Sequence, residues 1–301
     1  MMFFERLNRL NAQIRVQLNV PLSRYTTLRV GGPADYFVEI EDEKGLMDVL
    51  RAGKETGEDV LLLGNGSNLL VRDGGFRGVA VHFGRAFSKV ERQGDHLYAQ
   101  AGALLSGLSV RARDEGLSGL EFAQGIPGTV GGGAYMNAGA YGGELGALIK
   151  TVRIWDGREI RQIPGEQMDF SYRHTRAMDE RWIILGALFA LQAGDPRAID
   201  AAMRDYAARR RDKQPLEYPS AGSFFKRPAG HFAGALIEQA GLKGLTVGGA
   251  QVSEKHAGFL INVGNAKAAD FLLLMEQVRQ AVYERFQVRL EPEVRIVGSD
   301  A

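Results

Sequence analysis

Apolar residues in the first two hundred positions fall in short runs bounded by Gly and Asp. The runs at 36–40, 60–63, 79–83, 97–100, 151–155 and 182–191 predict strands. Between them, 44–53 and 104–115 carry apolar residues at helical spacing. A charged helical pattern follows at 196–213, then the turn-rich stretch QPLEYPSAGSFFKRP. The last part predicts helices at 231–240 and 266–286 and strands at 259–263 and 294–297. Helix 266–286 aligns Phe271, Leu274, Met275, Val278, Val282 and Phe286 on one face, which reads as core. The mixture is α+β, without internal repeats or a low-complexity linker.

Composition narrows the class. The chain has 301 residues, 45% hydrophobic and 24% charged, with a formal net charge of +1. Two or three domains with real cores are expected, and no bulk field favours nucleic acid or membrane. There are no cysteines, which excludes disulfides, thiolate nucleophiles, iron–sulfur clusters and cysteine-tethered flavin. No HExxH or EF-hand pattern supports a metal. The N-terminus lacks a sustained apolar stretch of signal-peptide type, and 182–191 is too short to span a bilayer. A cytoplasmic location is the expectation. Arg204, Arg209, Arg210, Arg211 and Lys213 read as a solvated helix face, with phosphate binding the lesser alternative.

Glycine supplies the chemical clue. It accounts for 39 residues of 301, about 13% against a usual value of about 7%. Nine fall within residues 125–146, GIPGTVGGGAYMNAGAYGGELG. A second loop, GNGSNLL at 64–70, follows an apolar run, and Gly31-Gly32 lies upstream. Glycine permits positive φ and close approach of backbone to a ligand, and successive N–H groups form anion-binding concavities. Tight turns in a strand-rich fold would also use glycine. Two such loops together, with the side chains of Asn65, Ser67 and Asn68, suit the pyrophosphate of FAD. Leu69 stands where GxGxxG would need glycine, and neither a P-loop nor a GxSxG elbow occurs.

The ordered blocks TTLRVGGPAD, GNGSNLLV, GIPGTVGGGAYMNAGAYG, SYR, GSFFKRP and LEPEVRIVG resemble the UDP-N-acetylenolpyruvoylglucosamine reductases over about residues 22–298. The last two blocks make the resemblance specific, since the flavin loops are shared with many oxidases. It implies a two-part FAD-binding region of the vanillyl-alcohol-oxidase/para-cresol-methylhydroxylase type, at 1–82 and 83–205, and a C-terminal α/β substrate domain at 206–301. FAD is expected to be non-covalent, held by Gly64, Asn65, Gly66, Ser67, Asn68, Gly125, Ile126, Pro127, Gly128, Thr129, Gly131, Gly132, Asn137 and Gly139. NADPH is the implied hydride donor. The implied reaction reduces the enolpyruvyl group of UDP-N-acetylenolpyruvoylglucosamine to give UDP-N-acetylmuramate for peptidoglycan, in a monomeric enzyme.

By the same resemblance, Arg173 polarises the substrate carboxylate through its planar fork. Ser223 donates a proton, and Glu293 lies beside the enolate. A carboxyl donating there needs a raised pKa. Without the resemblance these would read as a surface arginine, a turn serine and a strand-edge carboxylate. Glu291 would share a face with Glu293 on a regular strand, so the choice between them rests on the resemblance. Lys226 and Arg227 are implied for the diphosphate, Tyr141 for the flavin–substrate border, and Gln251 and, less strongly, His256 for substrate. Many members carry asparagine where Arg227 stands. Arg173 and Ser223 lie 50 positions apart, as in the shorter family variant lacking a tyrosine-bearing loop. An oxidase of the same flavin fold, or a non-catalytic nucleotide-sugar binder, are the rival readings.

Overall fold

The computed structural model describes residues 2–300. The chain forms two compact units, each assembled from separate stretches. The first comprises Met1–Ile14, Glu39–Ala52 and Val81–Arg210; the second comprises Arg15–Val38, Gly53–Ala80 and Arg211–Ala301.

The first unit is built on a five-stranded sheet. Its order is Ile160–Pro164, Ile149–Trp155, Ile183–Ala190, His96–Gln100, Val90–Gln93, all antiparallel neighbours. Strand Ile183–Ala190 is central, pairing Ala187 with Val152 on one side and Ala99 on the other. Most of its residues are buried, so it reads as a continuous apolar run rather than an alternating one. Leu97, Leu105, Leu108, Val152 and Phe189 share its core with Leu145 and Ala134. A bidentate pair joins Arg153 to Glu43 at 2.6 and 2.8 Å.

The second unit contains two four-stranded sheets. One, built mainly within this unit, runs in the order Val16–Pro21, Pro33–Ile40, Phe76–Phe83, Val60–Leu63. The other runs Ser220–Ser223, Phe259–Asn262, Ala250–Val252, Thr246–Val247. The long helix Ala268–Phe286 buries Phe271, Leu274, Met275, Val278 and Val282 in the core, with Phe286 partly buried against it. Each such side chain contributes about 1.5–3 kcal/mol relative to exposure. Asp73 caps this helix from a distant loop, accepting from Ala268 N at 2.8 Å and Ala269 N at 2.9 Å.

The sequence pattern did not disclose every element. Strand Val16–Pro21 is mostly exposed, although Val16, Leu18 and Val20 alternate with polar residues along it. Helix Val130–Tyr135 contains three glycines, each costing about 1 kcal/mol in helix propensity. Packing sustains it: side chains at Gly131 and Gly133 would collide with Ala101, Leu105 and Leu145. Both domain limits expected from sequence fall inside regular elements, strand Phe76–Phe83 and helix Pro196–Lys213. The compact units divide within the same two elements, between 80 and 81 and between 210 and 211.

Candidate active site

In the second unit, three motifs distant in sequence share one stretch of backbone. Gly66 takes φ +58°, and a Cβ there would lie 2.0 Å from the Tyr25 carbonyl oxygen. Thr27 N donates to Gly66 O at 3.2 Å, and Thr27 Oγ1 donates to Ser220 O at 2.6 Å. These bonds tie the loop at 64–68 to the strand that ends at Ser223. Asn68 Nδ2 then donates to Glu293 O at 3.1 Å, and Arg295 N to Asn68 O at 3.1 Å. A parallel pairing of Leu69–Val71 with Arg295–Val297 continues the join. Glu293 N donates to Phe224 O at 2.9 Å, and Lys226 N to Glu291 O at 2.9 Å. GNGSNLL, GSFFK and LEPEVR are thereby fixed side by side.

The side chains around this junction differ in what they are free to do. Ser223 is exposed and follows Gly222, whose φ is +77°. Glu293 is half-buried, whereas Glu291 is exposed and its carboxylate faces Lys226 Nζ at 3.5 Å. The two carboxylates thus differ in exposure, which the sequence did not show. Arg227 stacks over exposed Phe232, 4.6 Å from the ring centroid. Gln251 donates to Thr246 Oγ1 at 3.0 Å across a hairpin. His256 accepts from Gly258 N through Nδ1 at 3.1 Å and abuts Phe259 edge-on. Burial lowers its pKa below the ordinary histidine value, so the neutral ring serves local backbone.

In the first unit, Arg173 occupies a tight turn. Ser171 N donates to His174 O at 3.1 Å and His174 N to Ser171 O at 3.2 Å, with Tyr172 and Arg173 between them. Arg173 has φ +57°, and its guanidinium lies 4.9 Å from the Tyr172 ring centroid. Left-handed backbone costs a non-glycine residue about 1–2 kcal/mol. Such strain is retained where neighbours over-determine it, commonly at functional sites.

The glycine run is partly a packing device. Val130 N and Gly131 N donate to Ala103 O and Ala101 O at 2.7 and 2.9 Å, and Gly132 N to Thr129 Oγ1 at 3.4 Å. Among the described residues, the N–H groups of Gly128 and Thr129 meet no protein acceptor, nor do those of Gly66 and Ser67 in the other unit. Two successive donors in each loop suit phosphate oxygens. Each pair, taken within its own unit, fits an anionic group such as the pyrophosphate of an FAD-type ligand. Gly125 and Ile126 belong to the single turn before Pro127, Ile126 N bonding to Ala123 O at 3.0 Å. Gly139 starts a two-residue strand paired with Gly143–Glu144. Tyr141, with φ +53°, stacks on Tyr206 at 4.8 Å.

One arginine departs from the solvated-face reading. Arg204 and Arg209 pair with Asp200 and Asp205 one turn earlier. Arg210 is half-buried and pairs with no acid among the described residues. Its guanidinium lies against Gly125, where a Cβ would come within 2.9 Å of Nη1. Burial lowers its pKa, opposed by Tyr141. A desolvated guanidinium beside a glycine loop is suited to an anion. Sequence spacing could not separate it from its neighbours, because helix phase relative to the glycine run is a tertiary property. Among the described residues, no group of His, Asp and Glu could hold a metal, and no helix is long and apolar enough to cross a membrane.

These features define a flavin-dependent oxidoreductase. Residues 34–159 match the FAD binding domain model, and residues 214–297 match the model of UDP-N-acetylenolpyruvoylglucosamine reductase, C-terminal domain. The chain belongs to the UDP-N-acetylenolpyruvoylglucosamine reductase family. The reductase of that name from Clostridium novyi is 48% identical over 287 residues, covering 95% of this chain and 93% of the relative. The one from Listeria innocua is 45% identical, covering 98% and 100%. The solved reductase of Thermus caldophilus is 35% identical, with TM-score 0.82, covering 94% of this chain and 99% of that one. Relatives matched over nearly their whole length are reductases, which favours that reading over an oxidase.

Proposed function

We propose that the chain reduces the enolpyruvyl group of UDP-N-acetylenolpyruvoylglucosamine to UDP-N-acetylmuramate, for peptidoglycan precursor synthesis. The observation that carries the reading is the backbone junction joining the 64–68 loop, Ser223 and Glu293. Bound non-covalently, FAD supplies hydride transfer between NADPH and the substrate double bond. The successive N–H groups of Gly66 and Ser67 would hold its anionic part.

Hydride addition places negative charge on the substrate carboxylate as an enolate, and that charge needs a partner where it develops. Arg173 binds the carboxylate through two guanidinium N–H groups. Ser223 gives its hydroxyl proton to the adjacent carbon, completing addition of one hydride and one proton across the double bond. Glu293 helps fix the geometry of the enolate. Lys226 and Arg227 bind the diphosphate, with Tyr141 and Gln251 as further substrate contacts. The enzyme acts as a cytoplasmic monomer.

The test follows flavin absorbance anaerobically. NADPH should bleach the bound flavin, and enolpyruvyl-UDP-N-acetylglucosamine should restore it. Restoration only on admitting air would favour the oxidase. A colourless protein that takes up no FAD yet binds the UDP-sugar would favour the non-catalytic binder.

A further inference from the structure

We infer that Asn137 is a positioning residue for Arg173, joining the glycine run to the turn that presents the guanidinium. The inference rests on the proposed role of Arg173 toward substrate.

Asn137 is 1% exposed and adopts φ +41°, a conformation asparagine tolerates better than most residues. Its amide is used at both ends. Nδ2 donates to Glu144 Oε2 at 3.1 Å and to Ser171 O at 3.0 Å, while Oδ1 accepts from Gly146 N at 2.8 Å. A neutral amide supplies two donors and an acceptor on one short side chain. Aspartate lacks the donors, serine lacks the reach, and glutamine is a methylene too long.

Ser171 O closes the turn that carries Arg173 by accepting from His174 N, and Asn137 holds that same oxygen from the other side. Beyond the turn, Thr175 Oγ1 donates to Tyr135 O at 3.0 Å. Before it, Phe170 packs against Gly146, where a Cβ would lie 2.6 Å from the Phe170 side chain. The run therefore grips the chain on both sides of Arg173. The left-handed backbone of Arg173 is held between such anchors, and the central anchor is the Asn137–Ser171 bond.

The test uses stopped-flow half-reactions of the flavin-loaded enzyme. Asn137→Asp should slow flavin reoxidation by enolpyruvyl-UDP-N-acetylglucosamine at least tenfold more than flavin reduction by NADPH. In an Arg173→Lys background the same change should add less than a threefold further loss. Equal losses in both half-reactions, or losses that multiply with those of Arg173→Lys, would overturn the inference. If Arg173→Lys alone reoxidises normally, it is the role of Arg173 that fails. Should Asn137→Asp not retain flavin, combining it with Glu144→Gln restores a donor opposite the new carboxylate, and the same split is expected. Loss of flavin from that variant too would assign Asn137 to the fold and not to Arg173.

Discussion

The backbone N–H of Glu293 donates to the carbonyl oxygen of Phe224 at 2.9 Å, one residue beyond Ser223. Its own carbonyl accepts from Asn68 Nδ2. Glu293 is thus held on one side by the serine-bearing segment and on the other by the 64–68 loop. A backbone so fixed gives its carboxyl a rigid base. Glu293→Asp should lower turnover about 10²-fold, the cost of a shift near 1 Å at a reacting centre. Glu291→Gln removes only an exposed pairing with Lys226 and should change turnover less than about threefold. Steady-state rates of both variants decide the matter, and equal impairment would contradict the assignment.

Gly66 and Gly142 both have positive φ, but their surroundings differ. A Cβ at Gly66 would strike the Tyr25 backbone, whereas nothing lies within 4 Å at Gly142. Gly142→Ala should cost about 1–2 kcal/mol from backbone strain alone. Gly66→Ala should cost more and release flavin, because the loop must move. Denaturant unfolding and the ratio of flavin to protein absorbance check this. Equal stability with full flavin content in both variants would count against the cradle.

Arg210 pairs with no acid among the described residues, and its pKa is lowered by burial. A charge held this way disfavours the ligand-free fold. Arg210→Met should leave the melting temperature of flavin-free protein unchanged or higher. It should also weaken FAD binding, or raise substrate KM, about tenfold, as expected for losing a hydrogen bond to a charged group. Normal values of both constants would show that Arg210 meets no anion.

His256 gives a pH dependence of defined sign. Burial lowers its folded-state pKa below 6.5, so the unfolded chain binds the proton more readily. Its contribution is complete above about pH 6.5 and declines as pH falls toward the folded value. Melting temperatures between pH 7.5 and 5 should fall more steeply for the native protein than for His256→Gln. Parallel curves would remove His256 from the acid response.

Much of this was legible in sequence because periodicity and motif order report local chemistry. The face Phe271–Val282 and the central strand Ile183–Ala190 followed from apolar spacing. Helix Val130–Tyr135 was hidden because it depends on Ala101, Leu105 and Leu145 packing against glycine backbone. The differing exposure of Glu293 and Glu291 was also hidden, since it depends on how the chain around them packs. The exceptional character of Arg210 arises from its contact with Gly125, 85 residues away in the chain. Asn137 was visible as a loop asparagine, but its role depends on the distant Ser171 carbonyl.

The most direct measurement is the pair of half-reactions in Ser223→Ala, followed anaerobically by stopped-flow absorbance. Flavin reduction by NADPH should proceed at close to the native rate. Reoxidation by enolpyruvyl-UDP-N-acetylglucosamine should fall about 10²–10⁴-fold, the range for loss of a general acid. Equal slowing of both half-reactions, or normal reoxidation, would contradict proton donation by Ser223.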